Sequence, residues 1–378
     1  MVAERNKPTV LIIENSIDTT GAFNTIFSYA HYAKSSYQFV FILPEKSRLT
    51  AKVRQSGFWV ETLPFLEISK NPVNLLLYVP VLIANALRLK KIARRHQARI
   101  IHANDFYNLV GAVAKLLGGR FALLTHVRFM PDRFPRLLVR FWMKLNLMYS
   151  EYLICVSQAV KNCLADHPKL QVVYDGLAQE ILNVAGRKSV GDGTWLLYLA
   201  HYIPGKGQDL ALEAFGRAYQ QNPTIRLRFV GGDMGLPKNQ RYRTALINRA
   251  HELGVEQAVT FDGPESQVSQ AFTQADIALN FSESESFSQT CLEALVYGVP
   301  LIATDCGGPA ELFEHGKSGY LISNRDVEGG AEAILRLASD SDMRRRFSEN
   351  SVLYVRCKFS AENTFKKLAD VYAKVLLC

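Results

Sequence analysis

The stretch SESESFSQTCLEALVYGVPLIATDCGGPAE, residues 282–311, carries the order of elements on which the reading of the chain turns. It opens as a polar loop, continues as a short amphipathic helix, passes into a buried strand, and ends in a glycine turn that opens another helix. Ser286 or Ser288 stands where a short side-chain oxygen can accept from a free first-turn N–H and cap the helix. Gly298 followed by Pro300 stops it. Residues 301–303 are a short apolar strand, and Gly307-Gly308-Pro309 is a turn whose N–H groups can hold a phosphate or a sugar hydroxyl. Glu285 and Glu293 bracket the helix entry, with Phe287 and small polar residues between them.

Outward from this stretch, the same alternation of strand and helix fills both halves of the chain. Apolar runs at 9–13, 39–43, 100–103, 122–125 and 152–156 are separated by helical stretches such as 23–34 and 108–117. A second series has runs at 195–200, 226–230, 259–261 and 275–280, with helices around 209–221 and 241–253. Continuous apolar strands are buried on both faces, and strands alternating with helices build parallel sheets. The expected fold is therefore α/β, with two doubly wound, Rossmann-like sheets whose strand ends surround a central cleft. The polar, glycine-rich stretch 184–193 reads as a linker, giving domains 1–183 and 184–357 and a closing basic helix within 358–378. A length of 378 residues suits two domains, and 48% apolar residues suffice for two cores.

The N-terminus, MVAERNKPTV, is charged and then strand-like, unlike a secretory signal. The apolar run 73–87 contains Asn74, Pro80 and Asn85 and is too short to span a bilayer. Six cysteines without C-x-x-C spacing read as reduced thiols, so a cytoplasmic protein is expected. The net charge of +9 is concentrated: residues 88–144 hold 13 Lys and Arg against 2 Asp. A localised excess points to a negatively charged partner surface. Arginines mixed with Phe, Trp, Leu and Met in 128–152, together with the basic segment 87–99, suit an anionic membrane face. An ordinary helix with solvated arginines explains the same residues equally well. No nucleic-acid module is recognised, and no metal is called for.

The stretch 282–311 resembles the E-x7-E signature of retaining glycosyltransferases of the GT-B fold, family 4 in particular. The match rests on Glu285, Phe287, Ser288, Glu293, Ala294, Gly307, Gly308 and Glu311, with Ser286 in place of the usual glycine. The resemblance implies that Glu293 takes the ribose hydroxyls of a nucleotide sugar. Glu285, with the backbone of Phe287, Ser288 and Gln289, would meet the transferred sugar. In YLAHYIPGKGQD, residues 198–209, Lys206 lies where the family neutralises the donor diphosphate, and His201 replaces its arginine. Gly231 and Gly263 fall in turns expected near the nucleotide. His126 follows a strand and would reach sugar or phosphate; taken alone, it is more often a satisfied structural residue. Gly21, Asn104, Asp105 and Arg128 lie on the acceptor side. The closing helix would cross back onto the first domain.

Together these features imply transfer of a hexose-type sugar, with retention, from a UDP- or GDP-sugar co-substrate. His126, Lys206 and Glu285 would carry the chemistry, and no other cofactor is called for. The acceptor would be a hydroxyl of a glycan or lipid-linked glycan in polysaccharide or lipopolysaccharide assembly, at the inner face of the membrane. Two readings stay open beside it: a nucleotide-sugar epimerase of the same architecture, and a non-catalytic partner subunit, for which His201 and Ser286 speak.

Overall fold

The computed structural model describes residues 7–66, 72–176, 193–265 and 268–377. The chain divides into two units. One runs to Gly176 and takes in the chain again from Ala361; the other ends at Ser360. The linker expected at 184–193 lies outside the described residues except for Gly193. The passage into the closing helix, expected at 358, falls at Ala361.

The first unit is built on strands β1 (Thr9–Ile13), β2 (Gln38–Pro44), β3 (Trp59–Leu63), β4 (Ala98–Ala103), β5 (Ala122–Val127), β6 (Tyr152–Cys155) and β7 (Leu170–Val172). They pair in parallel in the order β3-β2-β1-β4-β5-β6-β7. Helices α1 (Gly21–Ala33), α2 (Leu49–Gln55), α3 (Pro72–Arg95), α4 (Val110–Leu116), α5 (Arg136–Tyr149) and α6 (Gln158–Asn162) join them. Side chains alternate across each strand, so β1 feeds two cores at once. Val10 and Ile12 pack with Phe23 and Ile26 of α1, whereas Leu11 and Ile13 pack with Leu89 of α3 and Val110 of α4.

The second unit repeats the plan. Its strands are β8 (Thr194–Leu199), β9 (Ile225–Val230), β10 (Val259–Asp262), β11 (Ile277–Asn280), β12 (Leu301–Thr304) and β13 (Gly319–Ile322). They form a parallel sheet in the order β10-β9-β8-β11-β12-β13. Its helices are α7 (Gln208–Gln221), α8 (Pro237–Glu252), α9 (Val268–Thr273), α10 (Gln289–Val296), α11 (Val327–Ser339) and α12 (Ser341–Phe359). The fold is thus two Rossmann-like α/β sheets, as expected. In each, the strand order reverses once, between β1 and β4 and between β8 and β11. Loops leaving the carboxyl ends of strands beside such a reversal diverge and open a crevice for a ligand.

The last helix, α13 (Ala361–Leu377), belongs to the first unit. Phe365, Leu368, Val371, Tyr372 and Val375 recur at helical spacing and are buried in the α1 side of the core. Full burial of each such side chain contributes about 1.5–3 kcal/mol, which makes α13 an integral layer of that unit.

Three strands were not anticipated, namely β3, β7 and β13, and all are at sheet edges. An edge strand is not enclosed on both sides, so it does not have to be a continuous apolar run. In β3, WVETL, only Leu63 is fully buried. The run 73–87 proved to be the first part of α3, a continuous helix of 24 residues. No helix among the described residues is long and apolar enough to cross a membrane.

Candidate active site

In the second unit, the two loops at the strand reversal are the one after β8 and the one after β11. Lys206 is carried by the first and Glu285 by the second, and their charged atoms meet at 2.7 Å. The Glu285 carboxylate is the main reason the Lys206 ammonium is held above its ordinary pKa, outweighing the opposing effect of burial. Ser282 Oγ donates to the same Glu285 oxygen, Oε1, at 3.0 Å. Among the described residues, Oε2 has no hydrogen-bond partner.

The loops are held from below. Asn280, at the end of β11, donates to Ser288 Oγ and accepts from Ser282 N–H, each at 3.2 Å. Thr304 Oγ1, at the end of β12, donates to the Ser282 carbonyl at 2.6 Å. Glu285 N–H donates to the Cys306 carbonyl at 3.1 Å, and Gly308 N–H donates to the Glu285 carbonyl at 2.8 Å. The two ends of the stretch 282–311 are therefore bonded to each other. At Gly308 an added Cβ would come within 2.3 Å of Phe287 Cα. Gly207 has φ of +78°, and a Cβ there would stand 1.9 Å from the Phe281 carbonyl oxygen. Only glycine combines that left-handed backbone with so close an approach. Tyr198 Oη completes the join, accepting from Phe281 N–H at 2.8 Å and donating to the Lys206 carbonyl.

Helix α10 begins beside Glu285. Ser288 occupies its N-cap position, but with φ of +75°, and its side chain makes no capping bond. The capping role expected from Ser286 or Ser288 is thus not filled by Ser288: a left-handed backbone turns the hydroxyl to Asn280 instead. The first-turn N–H groups of a helix have no acceptor within the helix itself. Phe287 is buried and its ring packs 5.7 Å from that of Phe359. Gln289 is the first residue of α10. Glu293, one turn further along, is largely enclosed, and burial pushes its carboxyl up to about 7. Among the described residues its carboxyl has no hydrogen-bond partner, and the residue is half-buried rather than sealed from solvent.

The other donor-side residues sit at neighbouring strand ends. His201 is exposed, and its Nδ1 lies 3.2 Å from the Gly232 carbonyl. A carbonyl only accepts, so Nδ1 carries the proton, and Nε2 becomes a donor only when the ring is charged. Gly231 is buried where an added Cβ would meet the Ala200 carbonyl at 1.9 Å. Gly263 is exposed just beyond β10, with open space around it.

In the first unit, the reversal between β1 and β4 also gathers polar residues. Asn104, just past β4, donates to Glu14, just past β1, at 2.5 Å and accepts from Arg128 Nε at 2.7 Å. Arg128 Nη1 reaches both Asp175 oxygens, at 2.8 and 3.0 Å. His126 is 2% exposed, and its Nδ1 is 2.7 Å from Nε2 of the buried His102. Asp105 is buried beside them. Gly21 is exposed at the first position of α1, behind Thr20, which caps the helix. Ser157 does cap α6, accepting from Val160 N–H.

Reading the sequence did not pick out Glu14, His102, Asp175, Ser282 or Tyr372. His102 left one signal, a histidine inside the apolar strand ARIIHA. Among the described residues, no group of three or more His, Cys, Asp or Glu is arranged to hold a metal ion.

Two Rossmann-like parallel-sheet units, each with one strand reversal, are the architecture of the GT-B type. Residues 21–179 match Glycosyltransferase Family 4 and residues 184–352 match Glycosyl transferases group 1; the chain belongs to this family. The N-acetyl-alpha-D-glucosaminyl L-malate synthase of Bacillus anthracis is 23% identical over 334 residues, which cover 82% of this chain and 84% of that protein. An exopolysaccharide phosphotransferase of Streptomyces coelicolor is 35% identical over 176 residues. That match covers 46% of this chain but only 18% of the longer relative. The solved structure of HepE from Anabaena, in complex with UDP and glucose, aligns over 97% of this chain and 100% of its own. Its TM-score is 0.82 at 21% identity, a likeness of fold.

Proposed function

We propose that the chain is a retaining hexosyltransferase that uses a nucleoside diphosphate sugar, with a UDP-sugar favoured over a GDP-sugar. The observation that carries this reading is the Lys206–Glu285 pair across the strand reversal, with Glu293 unpartnered on the adjoining helix. A diphosphate beside Lys206 gains a point charge already set between two glycines. The positive end of the α10 dipole adds attraction for the diphosphate. His201, just past the end of β8, is assigned to the same diphosphate. Glu293 accepts from the ribose hydroxyls, and Glu285 Oε2 accepts from a hydroxyl of the sugar. HepE, seen with UDP and glucose, supports the choice of base.

In the proposed reaction the bond from the anomeric carbon to the diphosphate oxygen breaks. A bond to the acceptor oxygen forms on the same face, and the acceptor proton passes to the departing diphosphate. The protein contributes placement of the reactants and stabilisation of charge on the leaving group. His126 and Arg128, with Asn104, Asp105 and Gly21, are assigned to the substrates. The acceptor is a hydroxyl of a glycan or lipid-linked glycan in cell-surface polysaccharide or lipopolysaccharide assembly.

The first unit also has a surface suited to an anionic membrane. Val73, Leu76, Val79, Ile83 and Leu87 of α3 are all more than 40% exposed and recur at helical spacing. Leu137, Phe141 and Met148 of α5 are exposed likewise, the first two within the basic segment 88–144. Apolar side chains among Lys and Arg fit the interface of an anionic bilayer.

A thermal-shift panel of UDP, GDP, ADP, TDP and CMP tests the donor assignment, since a ligand of the folded state raises its melting temperature. The expected result is a shift with UDP that is lost in Lys206→Ala and Glu293→Ala. Release of UDP from its sugar only in the presence of a glycan acceptor separates transfer from epimerisation. No shift with any nucleotide would overturn the reading in favour of a non-catalytic subunit.

A further inference from the structure

Through the first unit runs a line of buried polar groups, from its last helix to its strand ends. Tyr372 Oη lies 2.6 Å from His102 Nδ1, and His102 Nε2 lies 2.7 Å from His126 Nδ1. Arg128 Nη2 approaches the same His126 nitrogen at 3.4 Å. All four side chains are buried. Burial first, and then the charge of Arg128, hold both imidazoles neutral: His102 falls to about 3 and His126 lies well below the ordinary 6.5.

A neutral imidazole has one N–H and one bare nitrogen, whereas a guanidinium only donates. Facing Arg128, His126 Nδ1 must therefore be the bare nitrogen, with the ring proton on Nε2. His102 then donates from its Nε2, which leaves its Nδ1 to accept from the Tyr372 hydroxyl. The opposite order would set an N–H of His126 against an N–H of Arg128. It would also need a donor at His102 Nδ1 to meet a hydroxyl that has given its proton elsewhere. Among the described residues, His126 Nε2 makes no hydrogen bond.

We propose that Tyr372 and His102 are positioning residues that hold His126 as its Nε2–H tautomer, so that it presents a donor to a substrate oxygen. This rests on the assignment of His126 to the substrates made above. The other tautomer would present a bare nitrogen, which repels a phosphate oxygen. Arg128 faces the bare nitrogen at long range, 3.4 Å, while the closer bonds that favour the same tautomer run through His102 to Tyr372 of α13, 270 residues after His102. A second-sphere partner that fixes a ring proton in this way governs what the other nitrogen can do.

The test is Tyr372→Phe in the full chain. The Tyr372 ring also packs edge-on against Tyr29 and Tyr37, at 5.3 and 5.4 Å, and phenylalanine keeps that packing while removing the hydroxyl. Long-range proton–nitrogen spectra of histidine-labelled protein read the tautomers directly, with His102→Gln and His126→Gln assigning the signals. We expect His126 protonated on Nε2 in the wild type and a mixture of tautomers in Tyr372→Phe. Donor turnover with UDP-glucose should then fall by about two- to tenfold, the worth of one hydrogen bond, with KM for the donor changing less. A wild-type His126 protonated on Nδ1, or unchanged His126 signals in Tyr372→Phe, overturns the proposal. A His126→Gln variant turning over at the wild-type rate overturns instead the assignment of His126 to the substrates, and the nitrogen spectra then decide the relay by themselves.

Discussion

Glu293 makes nucleotide-sugar binding depend on pH in a way that can be worked out in advance. Its carboxyl is raised to about 7 because burial disfavours the charge. If the carboxylate accepts from the ribose hydroxyls, only the ionised form binds well. The apparent Kd then carries a factor of about 11 at pH 6 and about 1.1 at pH 8, so affinity falls about tenfold, or about 1.4 kcal/mol, on acidification. The assay is calorimetric titration with an intact nucleotide sugar, whose diester-linked phosphates do not titrate in that range. Glu293→Gln should bind more weakly at pH 8 and show none of the tenfold dependence.

The same residue has a signature in stability. A carboxyl whose folded pKa lies above its unfolded value favours the folded state less and less as pH rises between the two. Taking 4.5 for the unfolded chain, the ionised Glu293 costs the ligand-free protein up to about 3 kcal/mol at pH 8 and little at pH 4. Glu293→Gln should therefore resist denaturant better than the wild type at pH 8 while binding donor worse. Wild-type affinity that is flat between pH 6 and pH 8, or a variant with the same tenfold dependence, would refute the reasoning.

Two further outcomes are expected. Gly207→Ala must place a Cβ against the Phe281 carbonyl at φ of +78°. The left-handed backbone alone costs about 1–2 kcal/mol, so calorimetry should show a lower melting temperature, with Lys206 displaced and donor binding weakened; an unchanged melting temperature would show that the loop yields. The protein should sediment with anionic vesicles at low salt and be released by salt, and Leu76→Asp with Ile83→Asp should weaken this. Equal partition to neutral and anionic vesicles would count against the membrane surface.

Local pattern determined a good deal. The buried strands were legible because a strand covered on both faces has to be apolar throughout, and β1, at Thr9–Ile13, falls where the run 9–13 placed it. The stop at Gly298 and the strand after Pro300 follow from chemistry within a few residues, so sequence alone locates them. Glu285, Glu293 and Lys206 could be singled out by spacing. That Lys206 meets Glu285, 79 residues away, could not, because the meeting depends on β8 and β11 lying side by side at the strand reversal. Edge strands such as β3 were hidden because half-exposed residues need not be apolar. The line from Tyr372 to His126 was hidden for a different reason. Tyr372 reads in sequence as one more apolar residue of a helical stripe, and only the docking of α13 against β4 brings its hydroxyl to His102. Sequence specifies which groups are buried; tertiary structure decides which donor each buried acceptor meets, and with it where the protons lie.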